Sequence, residues 1–273
     1  MNITECPPAS QNAKPDEYEK YGSPEVMFGI PIIAATLEQA LGRVESAVIH
    51  REEIKIGVVN AAKVVNMRHD GELREAVLES DVVYADGVSV VWASRILGKP
   101  LSERVAGIDL MLGILERGQR FGWRVYCLGA TQDVLNVVCE KFRADYPGIE
   151  LVGTQHGYFS VAEEAAVATA IRDAKPQILF VAITSPKKER FMARWGEYMQ
   201  VLVVHGVGGS FDVVAGLVKR APAGWQRAGF EWLYRTLQEP RRLWKRYLVT
   251  NPIFIGLVMK EAMSTLFSSS GGD

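Results

Sequence analysis

The amino-acid sequence predicts an α/β protein whose mainly parallel sheet is flanked by helices and followed by a basic helical appendage. Short, continuous, β-branched runs alternate with helical patterns along most of the chain, which is typical of βαβ crossovers. The continuous apolar character of these runs is expected of strands that are buried on both faces. After residue 219 the composition shifts towards arginine, lysine and large aromatic residues, which predicts a separate basic helical segment.

Six strand–helix pairs follow one another and predict a Rossmann-like core. The predicted strands lie at 54–60, 81–87, 123–130, 149–159, 177–184 and 201–209. The predicted helical segments lie at 61–80, 88–98, 131–148, 160–176, 185–199 and 210–222. Ligands of such sheets bind outside the carboxyl ends of the strands, so those ends are where a site is expected.

Length and composition indicate a globular protein with a full hydrophobic core. The chain has 273 residues, 48% of them hydrophobic, and a formal net charge of −1. This balance lacks the basic footprint of a nucleic-acid-binding protein. The cysteines Cys6, Cys127 and Cys139 are odd in number and have no metal-ligand spacing, which disfavours a disulfide framework.

We divide the chain into a loosely docked or disordered arm at 1–25, an α/β core at 26–219 and an appendage at 220–273. The arm is polar and proline-rich and has neither the basic nor the apolar region of a signal peptide. Apolar runs stay shorter than the roughly 20 residues that span a bilayer.

A carboxylate lies at the corner where the second predicted strand meets a helix that starts near Val88. There Asp86 is either an N-cap of that helix or a functional carboxylate, and the two interpretations are compatible. Gly87 beside it would let a ligand approach closely. As a functional group, Asp86 would take a proton from an acceptor hydroxyl.

Other strand ends carry weaker signals. Asn60 has the same position as Asp86, and its local pattern favours a helix cap over a ligand contact. A glycine loop follows the last strand, and its free backbone amides would suit a phosphate, although tight packing explains many such loops. It matches neither a dinucleotide fingerprint nor a P-loop. The candidate residues of this loop are Gly206, Gly208, Gly209 and Asp212. A similar, shorter turn contributes Gly129 and Ala130.

The sequence has no Asp-x-Asp pair, on which many sugar-nucleotide enzymes hold a divalent metal. A nucleotide diphosphate would therefore have to be neutralised by positive side chains or helix N-termini. We expect no metal and no other cofactor. His156 is interpreted as a structural residue rather than a base.

The appendage combines basic residues with interleaved aromatic residues. Large exposed aromatic side chains usually mark an interface, and a basic aromatic helix is typical of a membrane surface. An apolar tail of this kind is also compatible with a homo-oligomer that hides it.

Several segments together resemble the WecG/TagA/CpsF glycosyltransferases, also called glycosyltransferase family 26. The resemblance covers about residues 27–250, in order. The segments that carry it are "VVNAAKVVNMR", "YADGVSVVWASRILGKPLSERVAGIDL", "VYCLGA", "GYF", "SPKKE", "HGVGGSFDVVAG" and "KRAPAGWQRAGFEWLYRTLQEPRRLWKRY".

The resemblance implies an inverting, metal-independent enzyme of bacterial surface-polysaccharide synthesis. Such enzymes move N-acetylmannosamine, its uronic acid or glucose from a UDP-sugar to a polyprenyl-diphosphate-linked saccharide. The resemblance further implies a protein at the inner face of the plasma membrane, with an appendage that helps to close the active site. Alternatives are a non-catalytic partner of another glycosyltransferase and an NAD(P)-dependent oxidoreductase.

Matching motifs assign roles to particular residues. Asp86 corresponds to the proposed general base, and Asn60 to the asparagine of a Thr-x-Asn motif whose threonine is Val58 here. A Gly-x-Pro-Lys-Gln-Glu motif corresponds to residues 184–189, with Lys188 in place of the glutamine. The remaining substrate-binding residues that the resemblance implies are Thr184, Lys187, Glu189, Arg220, Arg227 and Arg235.

Overall fold

The computed structural model describes residues 20–222, 224–225, 230–238 and 240–269, and its centre is a six-stranded parallel sheet. The strand order is β4-β3-β8-β7-β5-β6, and a separate antiparallel hairpin pairs β1 with β2. The strands are β1 Ser23–Met27, β2 Ile30–Ala34, β3 Ile54–Val59, β4 Val82–Ala85, β5 Arg124–Gly129, β6 Glu150–Gln155, β7 Ile178–Ala182 and β8 Val203–Gly206. The predicted α/β class and parallel sheet are confirmed.

Helices cover both faces of the sheet. They are α1 Leu37–His50, α2 Ala61–Asn66, α3 Gly71–Leu78, α4 Val88–Ile96, α5 Gly107–Gly118, α6 Gln132–Asp145, α7 Glu164–Ala174, α8 Lys187–Met199, α9 Ser210–Ala215, α10 Glu231–Gln238 and α11 Pro240–Ser269.

Alternation along the strands distributes side chains between the two faces. Tyr84 of β4 belongs to the core under α1, α5 and α6, whereas its neighbours Val83 and Ala85 pack towards the hairpin, α2 and α4. Because successive side chains of a strand point to opposite faces, a strand with helices on both faces is apolar along most of its length. This pattern is why the strand runs could be recognised in the sequence.

The helical segment predicted at 61–80 is two helices. Asp70 interrupts it, because its carboxylate accepts a hydrogen bond from the Leu73 amide at 2.9 Å and caps α3. The hairpin and the helices α1 and α5 were not predicted. The hairpin is short and carries Pro24 and Pro31, which weaken a strand pattern.

The long helix α11 packs back onto the hairpin. The backbone amide of Phe28, in the hairpin turn, donates to both carboxylate oxygens of Glu261 at 3.0 and 3.1 Å. The rings of Phe28 and Phe254 lie 5.4 Å apart between centroids. The C-terminal segment is therefore fixed against the N-terminal part of the core.

The predicted three-part division stays a prediction. Most of the arm lies outside the described residues, and strand β1 begins within its last three.

Gly129, at the end of β5, is held in a conformation that only glycine adopts easily. Its φ is +134°, and a Cβ there would lie 2.3 Å from the Ala182 carbonyl oxygen on β7. The neighbouring strand thus approaches closer than any side chain allows.

Gly129→Ala is expected to lower the free energy of unfolding by at least about 1–3 kcal/mol, because a strained backbone and a clash with β7 are added together. Urea denaturation measures it. Gly71→Ala is the matched control, since a Cβ on Gly71 meets no atom within 4 Å. Equal stability of the two variants would contradict this explanation.

Candidate active site

A cavity of about 900 Å³ opens at the carboxyl ends of β3, β4 and β8. Its volume is within the range of small-molecule sites. The helices α10 and α11 close it on the side away from the sheet. The predicted site residues that line it are Asn60, Asp86, Gly87, Thr184, Gly206, Gly208, Gly209, Asp212 and Arg220.

Asp86 is fixed at the end of β4 by the segment that leads into α5. The Asp86 amide donates to the Val59 carbonyl at 2.9 Å, and its Oδ1 accepts from the Gly107 amide at 3.1 Å. The helix after it is capped by Gly87 without a side-chain hydrogen bond. Of the two interpretations of Asp86, the helix cap near Val88 is therefore wrong, because its carboxylate accepts from the start of α5 instead.

The surroundings of Asp86 make its carboxylate more basic. Burial raises the pKa of Asp86, and the Gly107 amide and the Arg104 guanidinium oppose this rise only in part. Among the described residues Oδ2 of Asp86 has no hydrogen-bond partner. One oxygen is thus held by the protein while the other remains for a ligand.

Asn60 is a helix cap that also faces the cavity. Its side-chain oxygen accepts a hydrogen bond from the Lys63 amide at 3.1 Å and begins α2, so the capping interpretation is confirmed. The same residue lines the cavity next to Gly87. A Cβ added to Gly87 would lie 3.2 Å from the Cβ of Asn60.

The glycine loop is constrained by packing from below. A Cβ on Gly206 would lie 2.9 Å from both Cδ and Cε of Lys188, and Gly208 has φ +55°. The Val207 amide donates to the Val181 carbonyl at 3.0 Å, which ties the loop to β7. The lysine stem therefore packs closely under this loop, and the positive φ of Gly208 favours glycine at the turn.

Some predicted site residues lie away from the cavity. Gly129 and Ala130 end β5, which is separated from β8 by β7. Lys187 turns outward and donates to the carbonyl of Gly157 at 3.2 Å, with its ammonium 3.9 Å from the centroid of the Phe159 ring. These residues hold neighbouring backbone rather than line the cavity.

His156 is structural, as interpreted from the sequence, although it acts as an acceptor. Its Nδ1 accepts a hydrogen bond from the amide of Tyr158 at 3.2 Å.

Three charged side chains are buried in the floor of the cavity, and we call them the floor cluster: Lys63, Lys188 and Glu189. Each is only 6–7% exposed. Lys63 Nζ donates to Glu189 Oε1 at 2.8 Å and to the Val58 carbonyl at 2.5 Å. Lys188 Nζ is 3.4 Å from Glu189 Oε1. Glu189, predicted to bind substrate, is thus placed below the cavity wall as the counter-ion of two lysines.

The floor cluster changes the pKa values of its members. Burial lowers the pKa of Lys63 to about 8, and the charge of Lys188 acts in the same direction. Burial opposes the ionisation of Glu189, but Lys188 and Lys63 outweigh it and bring its pKa to about 2. Glu189 is therefore an anion at every physiological pH.

Two arginines that line the cavity are paired with carboxylates. Arg104 forms ion pairs with Glu231 and, at 3.5 Å, with Asp109. Arg220 donates to Asp109 Oδ2 at 2.6 Å. The pair between Arg104 and Glu231 also joins the core to α10.

Sequence reasoning had passed over Arg104, Glu231 and Lys63. Lys63 could have been found from its place three residues after the cap Asn60, in the first turn of a helix at a strand end. Arg104 and Glu231 carry no such local signal.

Arg227 lies outside the described residues, as does the side chain of Arg235. Within the described ranges no group of three or more metal-ligating side chains occurs. Among the helices of those same ranges, none is both long enough and apolar enough to cross a bilayer.

Fold and cavity together define an α/β protein with a ligand site at the carboxyl ends of a parallel sheet. Over residues 25–267 the chain matches the Glycosyl transferase WecG/TagA/CpsF family, and it belongs to that family. It is therefore a glycosyltransferase, and neither the oxidoreductase nor the non-catalytic alternative is supported.

A protein of Bacillus spizizenii is 40% identical to this chain over 187 residues, which are 68% of this chain and 71% of that protein. Its name is N-acetylglucosaminyldiphosphoundecaprenol N-acetyl-beta-D-mannosaminyltransferase.

Glu189→Gln is expected to lower the free energy of unfolding by about 3–5 kcal/mol, because two lysines are then buried without their counter-ion. Urea denaturation at neutral pH measures this loss. Asp173→Asn, which breaks the exposed pair with Arg172, is the control and should cost about 0–1 kcal/mol. A loss as small in Glu189→Gln would show that the floor cluster is not held by its carboxylate.

Proposed function

We propose that the chain transfers N-acetylmannosamine from its UDP derivative to a polyprenyl-diphosphate-linked N-acetylglucosamine. Transfer of this sugar to such an acceptor is in the name of the Bacillus relative. The observation that carries the proposal is the Asp86 carboxylate, held by one oxygen and facing a cavity large enough for a nucleotide sugar.

The reaction is a single displacement. Asp86 accepts the proton of the acceptor hydroxyl while that oxygen forms a bond to the anomeric carbon. The bond from the anomeric carbon to the phosphate oxygen breaks, and UDP leaves with its electron pair. One displacement inverts the configuration at the anomeric carbon. The raised pKa of Asp86 favours this role, since a more basic carboxylate takes up a proton more readily.

The departing diphosphate needs positive charge nearby. Arg104 and Arg220 line the cavity and are paired with Glu231 and Asp109. In the proposed complex these guanidinium groups exchange part of that pairing for phosphate oxygens, for which their planar donor geometry is suited.

The acceptor lipid is proposed to lie along the mouth of the cavity. Four large apolar side chains of α4 and α11 form an apolar rim there: Trp92, Ile96, Ile255 and Met259, which are 48%, 66%, 58% and 60% exposed. Exposed apolar patches beside a site are typical of lipid or protein contacts. We propose that the protein works at the inner face of the plasma membrane, where its rim meets the acceptor lipid.

The test of the function is UDP release with UDP-N-acetylmannosamine and a lipid-linked N-acetylglucosamine acceptor. Asp86→Asn is expected to lower kcat by about 10²–10⁴-fold with little change in UDP affinity. Asparagine keeps an oxygen for the Gly107 amide, so the fold is preserved. Near wild-type turnover of this variant would remove Asp86 from the mechanism.

The same assay has a pH prediction. Since Asp86 must be unprotonated to act as a base, kcat/KM should fall as the pH drops through its pKa. Because burial raises that pKa, the fall should begin above the pH at which an ordinary aspartate titrates. The Asp86→Asn variant should lack this limb, and its persistence there would assign it to another group.

The apolar rim is tested by Ile96→Ser combined with Ile255→Ser. Loss of two apolar contacts should raise the KM for an undecaprenyl-linked acceptor by about tenfold or more, and leave the KM for a short-chain acceptor unchanged. Ile49→Ser on α1 is the control, because Ile49 is 65% exposed and is not one of the residues that line the cavity. Equal effects on both acceptors would contradict a role in lipid binding.

A further inference from the structure

The floor cluster carries an excess of positive charge. It contains two ammonium groups and one carboxylate, and all three residues are more than nine-tenths buried. Lysine is rarely buried to this extent unless it is paired. Asp86, in the cavity wall, is a further carboxylate close enough to act on Lys63. The charge that remains for a ligand anion is therefore that of Lys188, since a buried cation is costly unless it is paired.

Lys188 is the member of the floor cluster whose ammonium group has hydrogen-bond donors that are not fully used. Lys63 makes two short hydrogen bonds, of 2.8 Å to Glu189 and 2.5 Å to the Val58 carbonyl. The contacts of Lys188 Nζ are longer, 3.4 Å to Glu189 Oε1 and 3.5 Å to the Gly206 carbonyl. An ammonium group has three donors, and contacts near 3.5 Å are weak. Lys188 therefore has donors left for a ligand.

The position of Lys188 places these donors at the cavity. Its stem packs against Gly206, and its Nζ would lie 3.8 Å from a Cβ on Gly208. The ammonium thus lies directly below the glycine loop, and Lys188 is one of the residues that line the cavity.

We propose that Lys188, backed by Lys63 and Glu189, is an anion subsite in the floor of the cavity that binds an anionic group of the donor. The group is a phosphate of the nucleotide, because N-acetylmannosamine carries no charge of its own. The inference rests on the proposed function for the identity of the donor, and adds which of its chemical groups this chain selects.

The experiment compares wild type with Lys188→Gln and Lys188→Met by calorimetric titration. The ligands are uridine, UDP, UDP-N-acetylmannosamine and its uronic acid counterpart. If the subsite binds phosphate, UDP affinity falls about 10- to 100-fold in both variants while uridine affinity is unchanged. Unchanged UDP affinity in both variants, with loss only of a preference for the uronic acid over N-acetylmannosamine, would overturn the assignment of the subsite to phosphate.

Lys175→Gln is the control, because it removes an exposed positive charge between α7 and β7. This position is at the amino end of β7, whereas the cavity lies at the carboxyl ends of the strands. Melting temperatures of all variants show whether each remains folded. Unchanged affinity of both Lys188 variants for every ligand would overturn the inference while leaving the proposed function intact.

Failure of the proposed function has a different result. In that case wild type binds none of the uridine nucleotides, and inorganic pyrophosphate becomes the probe. A pyrophosphate-induced rise in the melting temperature of wild type that is absent in Lys188→Gln would still support an anion subsite. The same rise in both proteins, or in neither, would overturn it.

Discussion

The hydrogen bond from the Gly107 amide to Asp86 Oδ1 joins the end of β4 to the start of α5 and fixes the carboxylate on which the proposed mechanism depends. Two further hydrogen bonds hold the segment between β4 and α5 in place. His205 is fully buried, and burial lowers its pKa to about 4, so its ring is neutral and its Nε2 donates to the Gly107 carbonyl at 3.0 Å. The Val105 amide donates to the Ala85 carbonyl at 2.9 Å. These bonds align the segment that carries Arg104 with the carboxylate.

Opposite charges are distributed around the cavity so that each buried ion has a partner of the other sign. On the sheet side Glu189 holds two lysines. On the helical side Asp109 and Glu231 hold two arginines. In the proposed complex the diphosphate of the donor enters a cavity whose cations are already ordered, so less side-chain entropy is lost on binding. The pair of Arg104 with Glu231 makes closure by α10 part of the same electrostatic arrangement.

The sequence predicted the sheet well because both faces of every central strand are covered. It also predicted that residues at the ends of β3, β4 and β8 line a common cavity, because their positions follow directly from the strand boundaries. It could not predict the order of strands. Gly129 ends a strand just as Gly206 does, but β7 separates β5 from β8 and removes Gly129 from the cavity.

Helix orientation limited the prediction in a second way. Lys187 and Lys188 are adjacent at the start of α8, and consecutive residues on a helix point about 100° apart. One therefore reaches the loop at 157–159, and the other reaches the cavity. Arg104 and Glu231 were missed because their pairing is 127 residues apart in sequence. Neither a motif nor a period marks such a contact.

In the proposed mechanism Asp86 faces the hydroxyl that is to be glycosylated. A crystal structure of the protein with UDP and a soluble N-acetylglucosamine-diphosphate acceptor analogue would show where that hydroxyl lies. We expect an acceptor hydroxyl within about 2.6–3.2 Å of Asp86 Oδ2. An acceptor bound on the far side of the nucleotide, with protein atoms between its hydroxyls and this carboxylate, would contradict it.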